Sequence, residues 1–158
     1  MKGGTGSESR KQDMPSFLPD RLEAGTHNIA GIAGLLEGLR YVRRRGVERI
    51  GAWERRLIGR LGEGLDALRG VEVFRASDGE HQAGVLSFRV NGVDCEALGQ
   101  ILGERGIALR AGLHCAPLAH ETVGTLESGT VRASVSDFNR DGEIRQFLRT
   151  MAVLARGK

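Results

Sequence analysis

The chain has 158 residues, 40% of them hydrophobic and 27% charged, with a formal net charge of +3. That length supports one domain with its own core, and no apolar run approaches the roughly 18 residues of a membrane span. The opening MKGGTGSESRKQDMPSF lacks the apolar segment of a secretory leader, and two cysteines argue for free thiols rather than a disulfide framework, so a reducing cytoplasm is the expected location.

Residues 1–25, with GGTGS and two prolines, read as an irregular arm ahead of a single domain over 26–158. From Asn28 the apolar positions Ile29, Ile32, Ala33, Leu36 and Leu39 recur at helical spacing and predict a helix to about Arg45, broken by Gly46. Gly25, Thr26 and Asn28 before it suit a helix start, although anion binding occurs at such places too. A second helix carries Ile50, Trp53, Leu57, Leu61, Leu65 and Leu68 and ends near Gly70. Arginines crowd Arg40–Arg60, but Glu48 and Glu54 interrupt them, so the run reads as a solvated helix face rather than a nucleic-acid patch. Salt-dependent binding to duplex DNA would reverse that reading.

The pattern then turns to strands. Val71–Arg75 alternates, and Gly84–Val90 is β-rich and bounded by the turn pair Asn91-Gly92. Asp94 can cap a third helix burying Ala97, Leu98, Ile101 and Leu102, which Gly106 ends. Ile107–Arg110 is a short strand leading into LRAGLHCAPLAHETVGT, a segment too rich in Gly and Ala to predict a good helix. In Thr130–Ser136, Val131, Ala133 and Val135 face one way and Arg132, Ser134 and Ser136 the other. A last helix carries Ile144, Phe147, Leu148, Met151 and Leu154. The order implies an α+β layer, a small mixed sheet with helices packed on one face.

Three places carry candidate chemistry. Cys115, between His114 and Pro117 with His120 five residues on, reads as a nucleophile if accessible, a small buried hydrophobe if not. His114, Cys115 and His120 fall short of the four ligands and paired spacing of structural zinc, so no metal is expected. Arg132, mid-strand and facing away from the helices, suits a carboxylate or phosphate clamp or, equally, a cross-strand ion pair. GGTGS, including Gly4 and Thr5, lets backbone N–H groups converge on an anion but is not a Walker loop, and alone it reads as a flexible arm.

GGTGS followed by LPDRLEAGTHNIAGIAGL, then LRAGLHCAPLAHETVGT, then GTVRASVSDFNRDGEIRQFL, in that order, resembles the C-terminal small-domain part of class V aminotransferase-fold enzymes of the cysteine desulfurase and selenocysteine lyase group. The resemblance implies the small domain of a fold-type I enzyme dependent on pyridoxal 5′-phosphate (PLP), acting on L-cysteine. It implies that Cys115 takes the substrate's sulfur as a persulfide, with alanine as the other product. It places His114 beside that nucleophile for proton transfer, Arg132 on the substrate carboxylate, and Thr5 with Gly4 near the PLP phosphate, usually across a dimer interface. Departures are His27 within GTHN where proline is common, Phe138 in place of tyrosine, and Ala111 and Leu113 in place of more polar residues.

A PLP enzyme needs a Schiff-base lysine at the bottom of a formed pocket. The three lysines here are Lys2, Lys11 and Lys158, none in a predicted strand or buried loop. The resemblance places that lysine upstream, in a large domain missing from this sequence. The chain alone is therefore expected to be inactive and to hold no PLP covalently. Its uncovered face predicts a homodimer or association with the missing domain. The rival from another class is a non-catalytic persulfide carrier or interaction module.

Overall fold

A computed structural model describes residues 6–8 and 10–156. The chain forms two compact units, 1–45 and 46–158. In the first, a single 3-10 turn (Asp20–Leu22) precedes helix α1 (Ile29–Arg45). The Asn28 side chain accepts from the Gly31 N–H at 2.9 Å, so this helix start is realised as a side-chain cap. No residue of α1 is buried, and its stripe of Ile29, Ile32, Leu36 and Leu39 lies exposed.

The second unit holds α2 (Val47–Asp66), β1 (Val71–Phe74), β2 (Val85–Val90), α3 (Cys95–Gly103), β3 (Arg110–Gly112), α4 (Pro117–Thr122), β4 (Thr130–Ser134) and α5 (Asp141–Arg156). The sheet has order β1-β2-β4-β3. Every pairing is antiparallel, which corrects the expected mixed strand directions. The reason is topological. β2 and β3 run parallel across the α3 crossover, but β4 inserts between them, so parallel strands are never neighbours.

Strand alternation builds the core. Leu86 and Phe88 of β2, with Val131 and Ala133 of β4, are buried beneath Leu57, Ile58, Leu61 and Leu65 of α2 and Ile144, Phe147 and Met151 of α5. Phe88 and Phe147 meet edge to face at 5.9 Å. Gly64 lets α2 approach α5, since a Cβ there would run into the Leu148 side chain. Asp94 caps α3 as expected, accepting from the N–H groups of Glu96 and Ala97. Such a cap is worth about 1 kcal/mol.

Helix α3 corrects one expectation. Cys95, Leu98 and Leu102 face the core, while Ala97 and Ile101 are exposed. Its inward stripe begins at the cysteine, one residue after the cap, and so runs through a different set of positions. Two other differences surround Cys115. The expected strand at 107–110 is shifted, pairing only from Arg110 to Gly112. The Gly- and Ala-rich segment also contains α4, started by Pro117, whose fixed φ suits a first helical turn.

Candidate functional site

The sheet face away from the helices carries the site. Strand register sets Arg110 of β3 directly opposite Arg132 of β4, with Ser87 of β2 on the other side of Arg132. Like charges opposed on one face are unfavourable by up to about 1 kcal/mol. Yet among the described residues neither arginine has an acidic partner within ion-pair distance. The Arg132 Nε is buried without a hydrogen-bond partner. A guanidinium nitrogen left in that state is costly unless an anion meets it. The carboxylate-or-phosphate clamp is thus favoured over the cross-strand ion pair.

Cys115 joins this face. It is exposed, and Arg110 Nη2 donates toward its Sγ at 3.5 Å. A four-residue turn presents it: Ala116 N–H bonds the Leu113 carbonyl at 2.9 Å, and the two central residues, His114 and Cys115, have φ of 53° and 60°. Turns with two left-handed central residues normally use Gly, Asn or Asp. Here a histidine and a cysteine occupy those positions, and such strain gathers at functional sites.

Beneath the turn lies a polar cluster. His114 Nε2 is 3.0 Å from Thr130 Oγ1, and His120 Nδ1 is 2.7 Å from Thr125 Oγ1. The two imidazoles are 5.6 Å apart between ring centres. His120, Thr125 and Thr130 are buried. Burial first, then the positive fields of Arg132, His120 and Arg110, hold the His114 pKa below its ordinary value of 6.5, with the Thr130 main chain acting the other way. His114 is therefore held neutral near pH 7. Both histidines spend a ring nitrogen on a threonine, and the described residues contain no group of three or more His, Cys, Asp or Glu side chains arranged to hold a metal.

Of the residues singled out from the sequence, Cys115, His114 and Arg132 come together. Thr5 and Gly4 lie outside the described residues. Arg110, Thr125 and Thr130 escaped sequence reading. Arg110 closes a strand next to the cysteine segment, but its importance comes from its register with Arg132, which no local pattern encodes. The arginine-rich run is partly neutralised: Arg40 pairs with Glu37, and Arg56 and Arg60 both pair with Asp141.

Residues 3–147 match the aminotransferase class-V family. The chain belongs to that family. It is 43% identical over 139 residues to a probable cysteine desulfurase of Mycolicibacterium paratuberculosis, which covers 88% of this chain and 20% of the relative. The apo structure of a cysteine desulfurase from Thermococcus onnurineus NA1 superposes with a TM-score of 0.84 at 38% identity, over all of this chain and 39% of that one. A C-DES variant with glycine covalently linked to its PLP cofactor gives a TM-score of 0.67 at 27% identity, over 84% of this chain and 31% of that protein. This class V aminotransferase chain thus spans about a fifth of the first of these relatives and about two fifths of the second.

Pyridoxal phosphate is the family's coenzyme, so its fit to this chain can be judged from the residues present. Lys11, the one lysine among the described residues, has 67% of its side chain exposed and pairs with Glu8. A Schiff base needs an amine sheltered in a pocket. The described residues therefore do not fit covalent anchoring of the coenzyme.

Proposed function

We propose that the chain is the substrate-facing small domain of a cysteine desulfurase-like protein, in which Cys115 accepts sulfur as a persulfide. The observation that supports this reading best is Cys115 held in a strained, exposed turn beside Arg110, on the face that also carries the orphaned Arg132 guanidinium. In this reading Arg132 grips the carboxylate of L-cysteine. Arg110 steadies the sulfur of Cys115, and His114, next to it in sequence, is assigned proton transfer. Thr5 and Gly4 are assigned to the PLP phosphate. With a persulfide donor the sulfur-transfer step conserves atoms and electrons: the Cys115 thiolate attacks the donor's outer sulfur, a new S–S bond forms on Cys115, the donor's own S–S bond breaks, and the donor leaves as a thiolate with that bond's electron pair. When bound in the whole enzyme, PLP supplies the electron sink for carbon–sulfur cleavage.

The chain by itself is proposed to be inactive toward free cysteine, with the catalytic lysine on a separate large domain, in a cytoplasmic protein that pairs with a second copy or with that domain. Incubation with PLP and L-cysteine, followed by borohydride trapping and mass analysis, tests this. No stoichiometric lysine adduct and no alanine are expected; an adduct at one lysine together with alanine release contradicts it. The exposed thiol also favours a second reading, a persulfide carrier that receives sulfur made elsewhere. A labelled persulfide donor, with Cys115→Ala as control, separates such a carrier from a fragment inert to sulfur.

A further inference from the structure

We propose that Thr130 is a positioning residue for Cys115, acting through His114: its hydroxyl accepts the His114 Nε2–H and so locks the left-handed turn that presents the thiol. This deepens the sulfur-acceptor reading and rests on it.

The turn has few fixed points. One hydrogen bond, Ala116 N–H to the Leu113 carbonyl, closes its backbone, and both central residues occupy the left-handed region that is unfavourable for an L-residue. An unsupported His-Cys pair would relax to an ordinary turn and carry the thiol away from Arg110. The counterweight is the His114 ring, tied to β4 through Thr130 Oγ1 and packed against His120. His120 is in turn fixed by Thr125, through its ring nitrogen and through the Thr125 N–H to the His120 carbonyl at 2.8 Å. Thr130 is 2% exposed, so its hydroxyl is shielded from bulk solvent. It also lies two residues before Arg132 on the same strand, so the anchor ties the nucleophile's turn to the strand bearing the carboxylate clamp.

The direction of the bond follows from the other ring nitrogen. His114 Nδ1 is buried and has no partner. A buried N–H without an acceptor is rarer and costlier than a buried acceptor without a donor. The ring therefore carries its proton on Nε2, donates to Thr130 and leaves Nδ1 as a bare lone pair. A neutral ring agrees with the lowered His114 pKa, set first by burial and then by Arg132, His120 and Arg110 around it, against a smaller opposing hydrogen bond to the Thr130 main chain.

The test uses the full 158-residue chain, its Thr130→Val and Thr130→Ser variants, imidazole ¹⁵N NMR, and the rate of Cys115 alkylation by iodoacetamide at pH 7. In the parent chain His114 should show a single Nε2–H tautomer. Thr130→Ser should keep it, with alkylation within about twofold. Thr130→Val should mix the two tautomers and slow alkylation by about threefold or more, because the relaxed turn withdraws the sulfur from its exposed position beside Arg110. Far-ultraviolet circular dichroism and amide spectra show whether the valine variant keeps its fold. If it does not, the serine variant and the parent tautomer decide. An Nδ1–H tautomer in the parent overturns the proposal, as does a folded valine variant with unchanged tautomer and alkylation. A parent chain that shows the lock but takes up no sulfur from a persulfide donor upholds the Thr130 anchor and overturns the sulfur-acceptor reading instead.

Discussion

Two turns in the same unit close with the same hydrogen bond and obey opposite rules. In Val90–Val93 the closing bond is 3.0 Å, and the residue needing positive φ, at 69°, is Gly92. In Leu113–Ala116 the closing bond is 2.9 Å, and the residues at positive φ are His114 and Cys115. The first turn follows local chemistry and leads the chain from β2 toward α3. The second breaks local chemistry and places a thiol, an imidazole and two guanidinium groups on one face. Where a chain ignores turn preference and then braces the result with buried polar contacts, the placement serves something other than stability.

Substitutions can break or sharpen that contrast. The largest effect belongs to Cys115→Ala, which should abolish sulfur uptake from a persulfide donor while changing unfolding free energy by less than about 0.5 kcal/mol, as expected for an exposed position. Mass spectrometry and urea unfolding check the two halves. Next comes Gly129→Ala, at the strand entry that backs the cysteine turn. Its Cβ would meet Cys95 Sγ at 2.8 Å and Gly112 Cα at 3.2 Å, at φ of 59°. A loss of about 2–3 kcal/mol in chemical unfolding is expected.

Glycine exchange in the turns themselves should give opposite signs. Gly92→Ala should cost about 1 kcal/mol, whereas Cys115→Gly should stabilise by a similar or smaller amount because it relieves strain. A destabilised Cys115→Gly would mean that the second turn is not strained. The smallest effect is in pH. His114 has its folded pKa below its ordinary 6.5, so the unfolded chain binds more protons as pH falls below that value. The contribution is present above about pH 6.5 and is lost as pH drops toward the folded pKa. His114→Gln should flatten that part of the stability curve in urea titrations between pH 7 and pH 5.

Much of the scaffold was legible because its signals are local. The stripe of Leu57, Leu61 and Leu65, the Asp94 cap and the alternation of Val131 and Ala133 each state an element and its inward face within a few residues. Cys115, His114 and Arg132 were legible as candidates from their motifs. What could not be read is what depends on pairing across the chain. The β3–β4 register that opposes Arg110 to Arg132, and the reach of His114 to Thr130, join residues 16 or more apart. The stripe of α3 was misread because Ile101 looks like a core residue by type, although the helix phase set by Cys95 turns it outward. Helix α4 was missed because Gly and Ala content hid the start that Pro117 provides.

The most direct measurement compares two small persulfides as donors to Cys115, cysteine persulfide with its carboxylate and cysteamine persulfide without one, in the parent chain and in Arg132→Gln. If thiol and guanidinium share one pocket, the carboxylate-bearing donor loads Cys115 about tenfold faster or more, the worth of one charge-assisted hydrogen bond, and Arg132→Gln removes the preference. Equal rates for the two donors, or a preference that survives the loss of Arg132, would show that the sulfur and carboxylate groups are not handled together.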